Sequence, residues 1–371
     1  MNQNTLDEGR IEAIHGFDIP GIFRECNVCG NGHINDTYMM TFEQNGVLQR
    51  YSLQHMNRGV FTDPEALMEN VLHVTEYLKE QIQKQGGDPQ RETLDFVRTK
   101  TGKPYFVDSY GEYWRSYHFI EDVHALEELS SPQDFYESAI AFGHFQKMLA
   151  DFPADSLHET IAGFHDTKAR FAAFQKATEE DVCKRAECVQ KEIQFVLDRY
   201  DVACALGDLL AEEKLPLRVT HNDTKSNNVL IDDATGKGLC VIDLDTVMPG
   251  LAVNDFGDSI RFGASTASED EKDLTKVSCD LELYDVYAKG FLEGCDGILT
   301  NTEIECLPLG AKVMTYECGM RFLTDYLSGD TYFKTDYPTH NLDRARTQFK
   351  LVADMEEKWE QMQKIVRKYL K

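Results

Sequence analysis

The sequence of 371 residues has no excess of positive charge: 38 Lys and Arg stand against 64 Asp and Glu, which gives a formal net charge of −26. Such a charge repels polyphosphate backbones and anionic membrane surfaces. A disordered acidic segment is also excluded, because 42% of the residues are hydrophobic and 11% are aromatic, as in packed globular proteins. We therefore expect a solvated acidic surface and neither a nucleic-acid partner nor a membrane partner.

The sequence also lacks an apolar run near the roughly 18 residues that a membrane helix requires, and residues 1–10 lead into no secretory segment. Its ten cysteines show no repeated spacing, in a chain too large to need disulfides. Cys26 and Cys29 form a lone CxxC motif, which fits two loop residues better than a metal or redox site. No heptad pattern is present. We expect a cytoplasmic protein that is a monomer rather than an oligomer.

No internal repeat or linker marks a domain boundary, so the boundary is placed where the hydrophobic period changes. Up to about Asp122 the sequence alternates with period two, which predicts strands of one antiparallel sheet. A helix between these strands is predicted to begin with Thr62 as its cap, Pro64 in its first turn and Glu65 at the reciprocal capping-box position. The predicted strands are residues 37–42, 48–54, 94–98 and 113–120.

After Asp122 the period becomes helical, beginning with a helix that Ser131 and Pro132 open. Further helices are predicted around residues 166–176 and 179–210, and short strands at 217–220, 229–231 and 239–242. The predicted fold is α+β with two lobes. Residues 1–122 form a small antiparallel sheet with one helix, and residues 123–371 form a larger, mainly helical lobe.

The densest polar cluster follows the strand at 217–220. The protein-kinase catalytic loop places Asn five residues after its Asp, and often Lys two residues after it. Asp223, Lys225 and Asn228 have this spacing, and Asp243 follows Asn228 by fifteen residues. Phosphoryl transfer to an alcohol needs a carboxylate, a cation and metal ligands. We predict that Asp223 accepts the hydroxyl proton, that Lys225 neutralises charge on the transferred group, and that Asn228 and Asp243 hold Mg²⁺.

A second acidic motif downstream spells the DFG triplet, whose Asp binds metal in protein kinases. Its Asp255 lies 27 residues after Asn228, beyond a Pro-Gly turn, whereas Asp243 directly follows a short hairpin. Asp243 is therefore preferred as the metal ligand, and Asp255 is expected to brace the catalytic loop through hydrogen bonds. For Asp245 and Asp258, a solvated or capping role stays open beside a catalytic one.

A glycine-containing turn joins the first two predicted strands. The backbone of Gly30 and Gly32 can approach phosphates, although such a turn is also ordinary hairpin chemistry. With Asn35, these glycines are predicted to bind the nucleotide. His33, in the same turn, is either a contact to substrate or phosphate or simply a turn residue.

The strand lysine of protein kinases, which pairs with a helix Glu and binds phosphates, has no counterpart here. Gln54 takes its place, and the helix Glu position falls at Glu69 or Asn70. We predict that Gln54 belongs to the nucleotide site and that Mg²⁺ takes over part of the missing charge. Residues 117–122 are expected to border the adenine.

These motifs together resemble the aminoglycoside phosphotransferase and choline kinase superfamily, which has a two-lobed, protein-kinase-like fold. Longer segments are similar to those of bacterial N-acetylhexosamine 1-kinases. They are GHINDTY at 32–38, LRVTHNDTKSNN at 217–228, VIDLDTVMPG at 241–250, NDFGDSIRFGAST at 254–266, ECGMRFLTDYLSGD at 317–330 and YPTHNLDRARTQ at 337–348.

The resemblance implies ATP- and Mg²⁺-dependent phosphorylation of the anomeric hydroxyl of N-acetylglucosamine or N-acetylgalactosamine. It implies that residues 1–122 bind the nucleotide and that residues 123–371 carry catalysis and sugar binding. It also implies that His33, Arg321 and Tyr332 contact the sugar together with Asp223, the proton acceptor.

Other interpretations fit the residues taken alone. An Arg in an apolar helix, such as Arg321, is usually part of a buried ion pair, and most tyrosines, such as Tyr332, simply pack. The substrate could be another small alcohol, such as a different hexose, homoserine or choline. The missing strand lysine also allows a non-catalytic nucleotide-binding module.

Overall fold

The alternating segments of the N-terminal third form an antiparallel sheet, as predicted. The structure, a computed structural model, describes residues 3–29, 35–126 and 131–370. The sheet has the strand order β1-β2-β3-β6-β4, and β5 also pairs with β6, at Tyr113 and Trp114. The helices and strands of residues 3–125 are α1 (Gln3–Gly16), β1 (Ile22–Val28), β2 (Asp36–Gln44), β3 (Val47–His55), α2 (Pro64–Gln85), β4 (Phe96–Val97), β5 (Phe106–Val107), β6 (Tyr113–His118) and β7 (Val123–Ala125).

One face of this sheet is packed into an apolar core that includes Met40, Leu53 and Trp114, none of which has measurable exposure. Alternation places the intervening residues on the opposite face. The register of the central pair sets Gln54 of β3 directly opposite Arg115 of β6. The two side chains therefore lie side by side on one face of the sheet.

Helix α2 begins one residue later than its sequence predicts. Its cap is Asp63, whose carboxylate accepts a hydrogen bond from the backbone nitrogen of Ala66 at 3.0 Å, and Pro64 occupies the first helical position. The predicted cap at Thr62 is wrong, and so is the capping-box role of Glu65, because the third helical position is now Ala66. Glu65 instead accepts a hydrogen bond from the Tyr113 hydroxyl at 3.1 Å.

The rest of the chain is mainly helical, as predicted. The predicted helix over 179–210 is interrupted, because Asp181 ends α4 with a left-handed φ of 36° and separate helices follow. The elements are α3 (Pro132–Met148), α4 (Thr167–Glu180), α5 (Gln190–Leu197), α6 (Tyr200–Ala211), β8 (Arg218–Thr220), β9 (Val229–Asp232), β10 (Gly238–Val241), β11 (Met248–Gly250), α7 (Ala252–Gly263), α8 (Leu281–Cys295), α9 (Asn301–Ser328), α10 (His340–Glu357) and α11 (Trp359–Arg367).

Helices α7 and α9 approach closely enough to require glycine on both sides. A Cβ atom on Gly257 would lie 2.4 Å from the carbonyl oxygen of Gly310, and one on Gly310 would lie 2.1 Å from that of Val253. Helix α7, which carries Asp255 and Asp258, is therefore fixed against the long helix α9 at backbone distance.

The chain forms two compact units that do not follow chain order. The sheet unit comprises Met1–His124, Asp155–Ala162 and Leu230–Met248. The helical unit comprises Ala125–Ala154, Gly163–Val229 and Pro249–Lys371. The predicted division at residues 122 and 123 is a simple cut along the chain, whereas the sheet unit also takes in two later stretches. The predicted α+β class, with a sheet part and a helical part, is confirmed.

Candidate active site

The loop after β8 brings three predicted site residues of the helical unit together. Lys225 Nζ lies 2.8 Å from Asp223 Oδ1. The side-chain nitrogen of Asn228 donates to the backbone oxygen of Asp223 at 2.8 Å and approaches its Oδ2 at 3.4 Å. The Asp223 carboxylate keeps a quarter of its surface exposed, so it can still reach a substrate hydroxyl.

Lys225 is held in its charged form. Burial alone would lower the pKa of Lys225, but the nearby carboxylates of Asp223 and Asp258 outweigh it and raise that pKa above its usual value. A lysine beside the acceptor carboxylate can neutralise negative charge that develops on a transferred phosphoryl group.

Asp255 braces this loop, as predicted. Its Oδ2 accepts the backbone N–H of His221 at 2.9 Å, and its Oδ1 accepts that of Asn222 at 2.8 Å. Gln146 of α3 donates a third hydrogen bond at 2.7 Å. Because Asp255 is 1% exposed and these donors surround its carboxylate, the DFG-like aspartate of this chain is a support for the loop.

Asp258 supports the same loop one turn further along α7. It accepts the backbone N–H of Thr224 at 3.1 Å, and Arg261 donates from Nε and Nη2 at 3.0 and 2.9 Å. Burial would raise the pKa of Asp258, but Arg261 and Lys225 overcome this and lower it. The i,i+3 spacing of Asp258 and Arg261 is a visible signal for such a pair, which the sequence reasoning did not use.

His221, the histidine of the loop motif, is a packing residue that the sequence reasoning did not assign. Its side chain is fully buried, with its ring edge-on to Phe142 and Phe145 of α3 at centroid distances of 5.4 and 6.0 Å. Its Nδ1 accepts the backbone N–H of Asp223 at 3.3 Å. The ring therefore connects the loop after β8 to the apolar core.

In the sheet unit, Asp243 follows β10 and has a left-handed backbone with φ of 59°. Aspartate is one of the few side chains that tolerate this conformation. Asp245, two residues later, is 3% exposed and forms an ion pair with Arg115 of β6. Asp245 is therefore not a solvated residue. Its carboxylate has a buried structural partner in Arg115.

The predicted glycine turn lies largely outside the described residues, which leave out Gly30, Gly32 and His33. Asn35, at the end of the turn, is 8% exposed. Its Nδ2 donates to Asp245 Oδ2 at 2.6 Å, and its Oδ1 accepts the backbone N–H of Asn57 at 3.0 Å. Asn35 thus connects the residue that precedes β2 to the loop that contains Asp243 and Asp245.

Gln54 faces Arg115 instead of a helix acid. Its Oε1 accepts from Arg115 Nε at 2.8 Å, and its Nε2 donates to Thr37 Oγ1 at 3.1 Å. Asn70, buried on α2, bonds the backbone of His158 and Val247, whereas Glu69 is exposed and pairs with the His158 ring. Among the described residues, neither Glu69 nor Asn70 bonds Gln54. Neither therefore has the role that the helix glutamate has beside the strand lysine of protein kinases.

Arg321 lies among aromatic rings in the helical unit. Its guanidinium carbon is 5.6 to 5.8 Å from the ring centroids of Phe164, Tyr332 and Phe333. Among the described residues it forms no ion pair within 4.0 Å, so the buried ion pair that its helix suggested is absent there. Tyr332 is 63% exposed, so its ring is not simple core packing.

A second arginine lies beside Arg321. Burial, and then the positive charge of Arg321, lower the pKa of Arg170. Arg170 donates to the Phe164 carbonyl at 3.2 Å, while its buried Nε has no partner among the described residues. The carboxylate of Glu317, which acts on Arg170 through its charge, is already bonded by His165 and Thr167 at 2.9 and 2.5 Å. The sequence reasoning missed Arg170, which no local motif marks.

The described residues contain no cluster of three or more His, Cys, Asp or Glu side chains that could hold a metal. Cys26 and Cys29 are free thiols. The amide orientation of Asn228 does suit a hard cation, because its nitrogen is committed to Asp223 and its oxygen is left as a neutral ligand. The side chain of Asn228 thus offers one of the oxygen types that Mg²⁺ prefers.

The model of the phosphotransferase enzyme family, APH, matches residues 25–275, which is more than half of the chain. The chain belongs to this family. The matched range includes Asp223, Lys225 and Asn228. No helix in the described part of this APH phosphotransferase is both long and apolar enough to cross a membrane.

Solved structures share the fold over nearly the full length. An aminoglycoside phosphotransferase from Alicyclobacillus acidocaldarius has 14% identity and a TM-score of 0.60, covering 96% of this chain and 95% of its own. A microcompartment-associated aminopropanol kinase has 13% identity and a TM-score of 0.57, covering 97% and 98%. Choline kinase from Cryptosporidium parvum has 15% identity and a TM-score of 0.57, covering 91% and 90%. The predicted kinase-like fold is confirmed.

Proposed function

We propose that this APH phosphotransferase is an ATP-dependent kinase of a small alcohol, and that its acceptor is the anomeric hydroxyl of an N-acetylhexosamine. The product would be the N-acetylhexosamine 1-phosphate. Family membership supports phosphoryl transfer, and the segments similar to N-acetylhexosamine 1-kinases support the sugar.

The observation that carries the choice of acceptor is the arginine cluster of the helical unit. Arg321 is bordered by three aromatic rings and makes no hydrogen bond to another described residue. A guanidinium with unused donors beside an exposed ring, here Tyr332, can bond sugar hydroxyl and amide oxygens while the ring packs on the sugar face. A substrate oxygen would also give the buried Nε of Arg170 the partner that it lacks.

The charge of this cluster separates the proposed acceptor from those named for the solved relatives. Choline, aminopropanol and aminoglycosides are cations at neutral pH. Two neighbouring guanidiniums, Arg170 and Arg321, lie close enough for the charge of Arg321 to lower the pKa of Arg170, although Glu317 and Asp166 offset part of this effect. A cationic acceptor bound against these guanidiniums would be repelled by them, whereas a neutral sugar would not.

In the proposed reaction Asp223 accepts the proton of the sugar hydroxyl as the hydroxyl oxygen attacks the terminal phosphorus of ATP. The bond from that phosphorus to the oxygen of the β-phosphate breaks, and ADP leaves. Lys225, paired with Asp223 at 2.8 Å, supplies a fixed positive charge to the transferred group. Asp255 and Asp258 keep the loop backbone in place through the amides of His221, Asn222 and Thr224, so that the carboxylate is oriented before substrate binds.

Mg²⁺ belongs to this proposal through Asn228 and Asp243, which offer an amide oxygen and a carboxylate. When bound, it would neutralise the phosphate charge of the nucleotide. The net charge of −26 repels the phosphates of ATP, and Mg²⁺ would reduce this repulsion, so we expect activity to depend on added Mg²⁺.

A substrate panel tests the proposed acceptor. Purified protein with Mg-ATP would be assayed for ADP release with N-acetylglucosamine, N-acetylgalactosamine, glucose, galactose, homoserine and choline, and the product would be analysed by ³¹P NMR. We expect phosphate on the anomeric oxygen of both N-acetylhexosamines. Activity on choline or homoserine without activity on N-acetylhexosamines would reject the proposed acceptor.

Asp223→Asn tests the catalytic assignment and the alternative of a non-catalytic module. Loss of the proton acceptor should lower kcat by about 10²- to 10⁴-fold. The matched control is Glu360→Gln, an exposed acid on α11, which should keep wild-type activity. If wild type and Asp223→Asn release ADP equally slowly in the presence of sugar, Asp223 is not the proton acceptor.

A further inference from the structure

The sheet unit contains a positive charge at the place where the β3 lysine is missing. Gln54 and Arg115 are register partners on β3 and β6, and Arg115 Nε donates to Gln54 Oε1 at 2.8 Å. The guanidinium of Arg115 therefore lies beside the side chain that replaces the kinase lysine. A neutral Gln54 can orient this cation although it cannot supply charge itself.

Arg115 belongs to a network that connects the borders of the predicted nucleotide site. Its Nη1 forms a buried ion pair with Asp245, and both side chains are 3% exposed. The other oxygen of Asp245 accepts from Asn35 at 2.6 Å, and the Thr160 hydroxyl donates to the Asp245 carbonyl at 3.1 Å. The network thus joins the end of the glycine turn, the two central strands and the loop of Asp243.

The guanidinium has a donor left over. Nε is used by Gln54 and Nη1 by Asp245, whereas Nη2 has no hydrogen bond to a residue within the described ranges. Burial would lower the pKa of Arg115, but Asp245, with Asp243 further away, outweighs it. The side chain is therefore a charged and oriented donor, which is how the strand lysine acts in kinases.

We propose that Arg115 takes the place of the missing β3 lysine and binds the phosphates of the nucleotide through Nη2, with Asp245 and Gln54 as the residues that position it. The ligand chemistry is that of a nucleoside di- or triphosphate. This inference rests on the proposed use of ATP, but it does not depend on which alcohol is phosphorylated.

Calorimetric titration with ADP and with adenosine, in the presence of Mg²⁺, tests the role of Arg115. Removing only the arginine would bury an unpaired Asp245, so the variant is the double substitution Arg115→Gln/Asp245→Asn, which keeps polar partners in the network. We expect ADP affinity to fall about ten- to hundred-fold, as for the loss of a charged hydrogen bond, and adenosine affinity to stay unchanged.

The matched control is Arg98→Gln/Glu76→Gln, which removes an ion pair of the same unit whose side chains are about half exposed. It should change neither titration. Circular dichroism and thermal melting would verify that both double variants fold.

Arg115→Lys provides a second comparison, in which the charge is kept but the contacts to Gln54 and Asp245 cannot both be retained. We expect it to bind ADP several-fold more weakly and adenosine normally.

Two results would overturn the proposal. If a folded Arg115→Gln/Asp245→Asn protein binds ADP as tightly as wild type, the pair is structural. If ADP and adenosine weaken equally, the substitutions have altered the shape of the site and Arg115 is not a phosphate ligand. If the Arg115→Gln/Asp245→Asn protein does not fold, the same two comparisons of ADP and adenosine affinity are made with Arg115→Lys, and either result with that variant overturns the proposal.

Failure of the proposed function is distinguishable from failure of this inference. A wild-type protein that binds ADP but phosphorylates no N-acetylhexosamine contradicts the acceptor only, and the effect of Arg115 on ADP remains measurable. A wild-type protein that binds neither ADP nor adenosine contradicts the use of ATP and rejects the role of Arg115 with it.

Discussion

Asp255 Oδ1 lies 2.8 Å from the backbone nitrogen of Asn222, the residue that precedes the predicted proton acceptor. Asn222 has a left-handed backbone, with φ of 65°, a conformation that asparagine tolerates better than most side chains. The buried carboxylate of Asp255 holds the backbone N–H of this residue from α7. The chemistry proposed at Asp223 therefore depends on a carboxylate that need not touch the substrate.

We predict that Asp255→Asn lowers both stability and activity. An asparagine presents one oxygen and one NH₂ group, so it cannot accept from the amides of both His221 and Asn222, and one buried donor is left unpaired. The expected loss is about 1–3 kcal/mol in the free energy of unfolding, measured by urea denaturation. Asp223→Asn is the contrasting variant, because its partly exposed ion pair should cost no more than about 1 kcal/mol. Equal stability of Asp255→Asn and wild type would contradict the bracing role.

We predict that Gly257→Ala destabilises the helical unit. The added Cβ would lie 2.4 Å from a backbone oxygen of α9 and 2.5 Å from the carbonyl carbon of Gly310, so the helices must separate. Overpacking of this kind costs about 1–3 kcal/mol. Thermal and urea unfolding would measure it.

The control for this variant is Gly207→Ala on α6, where a Cβ meets no atom within 4 Å. Its only effect should be the better helix propensity of alanine, a gain of roughly 0.5–1 kcal/mol. If both substitutions stabilise, the contact of α7 with α9 is looser than the structure indicates.

Periodicity was sufficient for the elements that bury one face. Strands β2, β3 and β6 and the apolar face of α3 follow directly from it, because a half-buried strand or helix must repeat its apolar positions. The α2 cap depended on a choice between two adjacent cap-forming residues, Thr62 and Asp63, which only the backbone geometry decides. Helix α1 was not predicted at all.

The proximity of Asp223, Lys225 and Asn228 could be predicted because their spacing is local and all three lie within one short segment. The Arg115–Asp245 pair could not, since 130 residues separate its members and only strand register brings Arg115 beside Gln54. Arg170 was missed for the same reason. Contacts set by tertiary packing leave no periodic signal in the sequence.

We predict an acid-dependent contribution to stability from Asp354 on α10. Burial would raise its pKa, but Lys358 at 2.7 Å and the backbone N–H of Cys279 at 2.7 Å overcome this and lower the pKa of Asp354. A carboxyl whose pKa is lower in the folded state adds stability above its unfolded pKa of about 3.9 and loses it as pH falls through the folded value.

The measurement compares urea unfolding of wild type and Asp354→Asn between about pH 3 and pH 7. The difference in the free energy of unfolding should be largest above about pH 5 and should shrink below about pH 4. Glu360→Gln, an exposed acid nearby in sequence, serves as the control and should show no such trend. A difference for Asp354→Asn that does not change with pH would mean that its charge is not what stabilises the fold.

The last prediction concerns how Tyr332 is held at the proposed acceptor site. Asp325 of α9 is 5% exposed, and its two oxygens accept the backbone N–H groups of Thr331, Tyr332 and Phe333, each at 2.9 Å. One buried carboxylate thus fixes the backbone of the segment that brings two rings to Arg321. Asp325 is a positioning residue, since its carboxylate is occupied by the segment itself.

Asp325→Asn should therefore raise KM for the acceptor while leaving the affinity for ADP unchanged, because its contacts lie only in the helical unit. Loss of one or two of these hydrogen bonds, at about 1–1.5 kcal/mol each, corresponds to roughly a five- to hundred-fold weaker acceptor interaction if the segment loosens. Asp336→Asn is the matched control, because its carboxylate is 90% exposed four residues after Tyr332, and it should behave as wild type. A variant that is less stable but keeps its acceptor KM would show that Asp325 serves folding alone and that the segment of Tyr332 does not need to be fixed for the sugar to bind.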